Sequence, residues 1–261
     1  MSEPIIGMHE WFETPPGRYL LAWEQAEFRR AVGDIFGYHA LQLGLPELDT
    51  LQANRMPHKW LALREPHTGG GAQPRPALVS DFSALPFEAN SLDLVVLPHS
   101  LELNIDPHAT LREVERVLVP EGKVVICCLN PASLWGLRQR RAHLYRRLGL
   151  GQLFLPDAGG FIGYRRLRDW LRLLSFEVET GSFGCYRPAI STEKWLKRYD
   201  WMDRLGERWW PIFGAVYFLV AVKRVRGIKL IGPAWKSSTG IATAPVPIAN
   251  RSQFNAHQEH Q

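Results

Sequence analysis

The sequence predicts a doubly wound α/β domain, a mostly parallel sheet with helices on both faces, and three features carry that expectation. Short apolar runs alternate with amphipathic segments over residues 18–131 in a strand, helix, strand rhythm. The run 121–131, EGKVVICCLNP, has no polar alternation, as in a strand buried on both faces of a parallel sheet. The last two apolar runs, 176–183 and 216–224, lack a simple helical crossover between them, so an antiparallel pairing at the sheet edge is expected.

Taken in order, residues 18–36 place apolar side chains three and four apart and read as a helix ended by Gly37. Residues 40–43 follow as the first strand. Pro46 and Glu47 suit the first turn of a short helix, and KWLAL at 59–63 suits the second strand. Residues 65–76 are rich in Gly and Pro and read as a flexible loop. Strands are expected at 77–81 and 92–99, separated by a turn. An amphipathic helix follows at 108–118, with Leu111, Val114 and Leu118 on one side, and then the strand 121–131. A basic helical segment, the helix RRLRDWLRLL, the strand 176–183, an aromatic-rich insertion and the strand 216–224 complete the domain. Residues 1–36 are therefore a helical lead-in, 37–226 the domain, and 227–261, with little periodicity, a disordered tail.

At 261 residues, 46% hydrophobic and 22% charged, the composition is that of a globular protein able to bury one sizeable core. The first thirteen residues carry acids and no basic start before an apolar run, so no cleavable signal is read and a cytoplasmic location is expected. The longest apolar stretch, 212–222, is far short of the roughly 20 residues of a membrane span. Cys127 and Cys128 are adjacent and, with one further cysteine, match neither a disulfide framework nor zinc spacing. They read as small residues of a buried strand. The close pair His257 and His260 lies in the polar tail, and no metal site is expected.

The net charge of +5 is concentrated in residues 138–147 and 164–172, where Leu, Tyr or Trp recur at helical spacing. Solvated arginine faces of surface helices are the first reading. An anionic substrate, nucleic acid and a membrane surface are the alternatives.

The stretch HALQLGLPELDTL, 39–51, resembles the opening of a nucleotide-binding domain without its later glycines, since Leu, Pro and Glu follow Gly44. Downstream, the run 79–126 carries Asp81-Phe82-Ser83-Ala84-Leu85-Pro86-Phe87, then Ser91-Leu92-Asp93-Leu94-Val95, then Arg116-Val117-Leu118-Val119-Pro120-Glu121-Gly122. These match in register the pattern D-A-x-x-L-P-F, S-F-D-h-V and R-V-L-x-P-G-G. On them the chain resembles class I S-adenosylmethionine-dependent methyltransferases of type 11, a group that includes quinone-biosynthesis and related small-molecule methyltransferases. The resemblance covers roughly residues 36–224.

It implies a Rossmann-like, seven-stranded sheet with an antiparallel edge strand, and S-adenosyl-L-methionine bound across the carboxyl ends of the first strands. Carried over by position, Gly44 approaches the methionine moiety or ribose, and Glu65 falls near the spacing of a ribose-binding acid. Asp81 accepts from the adenine amine and the backbone of Phe82 contacts the ring. Pro98 and His99 face the sulfonium, with His99 the base wherever the acceptor starts protonated. The family's glycine loop survives only as Gly44, and its preceding acid is Gln42.

Each residue also has a structural reading. Asp81 can cap a turn, His99 can be a satisfied polar residue at a strand end, and Asn130-Pro131 is first a turn signal. Trp195, Trp201, Trp209 and Trp210 read first as packing residues. The expected function is methyl transfer to an unidentified acceptor, a small molecule or a peptide-borne group, with the small molecule first, no specific nucleic-acid partner and the basic helix bordering the substrate entrance. The alternative is a non-catalytic module of the same fold. A nicotinamide-dependent oxidoreductase fits less well, because the phosphate-cradling glycines are those absent.

Overall fold

A computed structural model of the chain describes residues 8–65, 78–147, 153–156 and 160–224. The proposed tail 227–261 and most of the loop 65–76 lie outside the described residues. Two helices open the chain, α1 (Met8–Phe12) and α2 (Pro15–Gly33). The strands are β1 (His39–Leu43), β2 (His58–Leu63), β3 (Leu78–Val79), β4 (Leu92–Pro98) and β5 (Leu118–Leu129), with α3 (Pro107–Val117) entering β5. Then come α4 (Leu134–Arg147), α5 (Tyr164–Leu173), β6 (Phe176–Gly184), α6 (Glu193–Arg198), α7 (Trp201–Trp209) and β7 (Val216–Lys223).

These strands form one seven-stranded sheet in the order β3-β2-β1-β4-β5-β7-β6. Strands β1 to β5 pair in parallel, and β7 runs antiparallel to both β5 and β6. The antiparallel strand thus stands one place in from the edge, with β6 outside it. Because β7 is reversed, the carboxyl end of β6 lies on the same sheet edge as the carboxyl ends of β1, β4 and β5. The insertion 185–215 leaves β6 at that edge.

Alternation along the central strands sorts the core into two layers. Ala40, Val96, Val125, Cys127 and Phe218 face α2, where Leu20, Phe28 and Val32 pack. Leu41, Val95, Ile126, Cys128 and Tyr217 face α3 and α5, which bring Leu111, Val114, Leu167 and Leu171. All these side chains are buried, the pattern required of a sheet covered on both faces.

The sequence motif of residues 79–126 has identifiable structural work. Asp93 accepts the backbone N–H groups of Tyr38 (2.8 Å) and His39 (2.9 Å), fixing the start of β1 beside β4. Arg116 pairs with Glu113 and donates to the carbonyls of Leu85 and Phe87, while Glu113 accepts the Leu85 N–H. The Leu-Pro-Phe turn is thereby bolted to α3.

One expected element is absent. Pro46 and Glu47 form a turn, and the β1–β2 connection runs through turns, bends and irregular chain without a helix. The reason is local: Gln42, buried in β1, holds that connection with its side-chain amide. Its Nε2 donates to the carbonyls of Gly44 (3.1 Å), Leu45 (2.9 Å) and Leu48 (2.8 Å), and its Oε1 accepts from Thr50 N (3.1 Å) and Oγ1 (2.7 Å). Within this connection the Leu48 N–H reaches back only three residues, to the Leu45 carbonyl, and the Thr50 N–H is shared between the Leu48 carbonyl and Gln42 Oε1, so the four-residue ladder of a helix does not form.

Candidate active site

The carboxyl edge of the sheet gathers the expected cofactor residues. Gly44 follows β1 with φ +74, and the next residue, Leu45, keeps a left-handed conformation at φ +49 although it carries a side chain. Two successive residues of positive φ thus turn the chain sharply out of β1. A Cβ on Gly44 would stand 3.4 Å from Ser100 Oγ and 3.6 Å from the Phe82 ring, so both side chains close over this glycine. Ser100 also donates to the Leu43 carbonyl, joining the ends of β1 and β4.

Glu65 stands two residues past β2 with its side chain exposed, and Asp81 two residues past β3, likewise exposed. Asp81 Oδ1 accepts the Ser83 N–H at 3.0 Å. That bond, with a smaller contribution from Arg64, holds its carboxyl below the usual range. The turn-capping reading is therefore realised, and the residue remains an exposed carboxylate. Arg64 stands 3.9 Å from Asp81 and 6.0 Å from the centre of the Phe82 ring. Phe82 itself is buried, as is Pro98 at the end of β4.

His99 departs from the expectation of a general base. Its ring is fully buried, and both nitrogens are engaged by carboxylates: Nδ1 with Glu102 at 2.8 Å and Nε2 with Glu24 of α2 at 2.6 Å. Burial alone would lower its pKa, but the two acids carry it up to about 10. A base must reach the proton it removes, and this imidazole points into the core. Its backbone, at φ +52, marks a sharp turn out of β4. Glu102 also accepts the Leu129 N–H at 2.6 Å, tying that turn to the end of β5.

Neither acid stood out among the candidate residues. One signal did exist for Glu24: it lies on the stripe Leu20, Glu24, Phe28, Val32, a carboxylate where the helix is otherwise apolar. Asn130 serves its turn, accepting the Ala132 N–H and donating to the carbonyls of Ile212 (2.8 Å) and Gly214 (2.9 Å). It thus pins the end of the insertion to β5. Of the expected packing tryptophans, Trp195, Trp201, Trp209 and Trp210 are between 38% and 70% exposed. An open groove of about 640 Å³ lies between α5 and β6, away from Gly44 and Asp81.

Comparison with known proteins bears on this edge. A family described as a methyltransferase domain matches residues 63–126, which span the end of β2 through most of β5. The chain is 31% identical over 180 residues to YafS, an uncharacterized protein of Escherichia coli, covering 68% of this chain and 69% of that one. The chain belongs to the class I S-adenosylmethionine-dependent methyltransferases. A shorter match, 42% over 52 residues, joins it to a demethylmenaquinone methyltransferase of Chlamydia pneumoniae, covering 20% of this chain and 23% of that enzyme. The fold agrees with that of an S-adenosylmethionine-dependent methyltransferase from Archaeoglobus fulgidus, at 18% identity, TM-score 0.52, and coverage of 78% and 94% of the two chains.

The cofactor of this enzyme family is S-adenosyl-L-methionine, and the nucleoside half of that molecule fits the residues present. Two exposed carboxylates at the ends of adjacent strands are suited to accept from ribose hydroxyls and from an adenine amine. The helix N-terminus that would follow a glycine loop is replaced by the Gln42-held turn. Among the described residues, no helix is long and apolar enough to cross a membrane.

Proposed function

We propose that the chain methylates a small, apolar acceptor, with Glu65, Asp81 and Phe82 holding the nucleoside end of the cofactor and Gly44 and Pro98 lining its methionine end. The observation that carries this reading is the convergence of all five residues on one sheet edge, where the insertion 185–215 also emerges. When bound, the cofactor supplies an electrophilic methyl group. The chain's contribution is to orient the acceptor, for which alignment can supply several kcal/mol, and to exclude water. The exposed tryptophans of the insertion offer flat apolar surface to such an acceptor. The match to a demethylmenaquinone methyltransferase supports the same substrate class. His99 acts in this scheme as a positioning residue, holding the exit of β4 against α2.

Titration calorimetry with S-adenosylhomocysteine tests the cofactor residues. Binding in the micromolar range is expected, and Asp81→Ala should weaken it about tenfold to a hundredfold. Asp81→Asn separates the two jobs of this residue, because an amide oxygen still caps the Ser83 turn but the carboxylate is gone. It should keep the unliganded melting temperature of the parent and lose affinity. Unchanged affinity in both variants would remove Asp81 from the site.

The basic helix α4 is expected to contact no bases. Arg138 is already engaged, with its guanidinium 4.5 Å from the centre of the Phe154 ring and its N–H groups donating to the Ala189 carbonyl. Binding to mixed DNA and RNA should be weak at physiological salt. Tight binding that falls steeply as salt rises would overturn this.

A further inference from the structure

Beneath the carboxyl edge, between α2 and the sheet, three potential metal ligands converge. One ligand atom each from Glu24, His99 and Cys127 lie within 4.8 Å of one another, and all three residues are buried. They come from three separate elements: α2, the turn leaving β4, and β5.

We propose that Glu24, His99 and Cys127 form a binding site for a divalent cation of the zinc class. Cys127 Sγ stands 3.5 Å from Glu24 Oε1, which is already about the ligand-to-ligand edge of a zinc tetrahedron with arms of about 2.3 Å and 2.0 Å. The His99 Nε2 to Glu24 Oε1 separation is 2.6 Å, and a cation in place of the shared proton requires it to widen by about 0.7 Å. The fourth donor is present too. Glu24 Oε2 is buried and has no hydrogen-bond partner among the described residues, an unusual state for a carboxylate oxygen in a core. A bidentate Glu24 would give that oxygen a partner and complete four-coordination.

The surroundings match what a ligating histidine requires. Its other ring nitrogen meets Glu102 at 2.8 Å, and Glu102 is fixed by the Leu129 N–H at 2.6 Å. A carboxylate behind a metal-bound imidazole sets its tautomer and orientation. The charges also balance. With both ring nitrogens protonated between two carboxylates and the thiol neutral, the cluster carries one net negative charge. A divalent ion displaces one proton from the imidazole and one from the thiol, and the net charge is unchanged. Without the ion, burial and then Glu24 push the Cys127 thiol well up, so it stays protonated; coordination is what would ionise it. Because every ligand is buried, the ion would enter as the chain folds.

The full chain, produced in zinc-supplemented medium and desalted, should retain one zinc per molecule by elemental analysis. Refolding in chelator should lower its melting temperature, and refolding with zinc should restore it. Refolding with cobalt should give a near-ultraviolet thiolate-to-cobalt charge-transfer band. That band should vanish in Cys127→Ser and persist in Cys128→Ser, since Cys128 faces the opposite layer. Glu102→Gln should weaken zinc about tenfold to a hundredfold. If Cys127→Ser does not fold, the wild-type zinc content and cobalt spectrum still decide. Metal-free protein whose melting temperature ignores both zinc and chelator overturns the site, as does a cobalt complex without the thiolate band or a band lost in Cys128→Ser.

Discussion

Gln42→Ala is expected to destabilise the chain by about 3–5 kcal/mol, read as a lower urea midpoint with a similar slope. The Gln42 side chain is buried and meets three carbonyls and two donors of the β1–β2 connection. Truncation leaves these groups without the partner around which the turn is built, and each buried group so stranded costs about 1–3 kcal/mol before water and relaxation recover part of it. Gln42→Glu, which restores the acid typical of the family at this position, should not rescue the fold. Three carbonyl oxygens converge on Nε2, and a carboxylate there has no proton to offer them. An unchanged midpoint in Gln42→Ala would show that the turn holds without its clamp.

The same residue explains why the fold was more legible than the site. Strand and helix order followed from hydrophobic period, because each central strand is buried on both faces and each covering helix on one. The short helix expected at Pro46 fails because one side chain reaches over the backbone, and no periodic signal reports such a contact. The missing glycines and the missing acid are likewise one departure. A turn of side-chain-bearing residues presents carbonyls inward, and an amide donor answers them where a carboxylate would not. Asp81 could be placed from its motif, but whether it capped a turn depended on Ser83 geometry. His99 was found as a strand-end residue, yet its two carboxylate partners lie 75 residues before it and three after it. Only the folded sheet brings α2 over the end of β4. In sequence Cys127 is a strand filler for the same reason: metal spacing rules describe ligands close in sequence, and Glu24, His99 and Cys127 come from three elements.

His99→Ala should cost about 3–5 kcal/mol, the range for removing one partner of a buried ion pair. In metal-free protein two buried carboxylates, Glu24 and Glu102, would then share a site with no imidazolium between them. Part of any such loss comes from the left-handed backbone at position 99 and from the cavity, so the single variant does not isolate the charge. A double-mutant cycle with Glu24→Leu does. Leucine suits the apolar stripe of α2 between Leu20 and Phe28, and it removes one of the two stranded charges. In the parent, Glu24→Leu should lower the urea midpoint, since it leaves the His99 Nε2 proton unpaired. In the His99→Ala background the same substitution should raise the midpoint. The backbone and cavity contributions appear on both sides of the cycle and largely cancel, leaving a coupling of about 2 kcal/mol or more. A Glu24→Leu effect of equal sign and size in both backgrounds would mean that Glu24 and His99 are neighbours without an energetic bond, and the exit of β4 would then owe its position to packing alone.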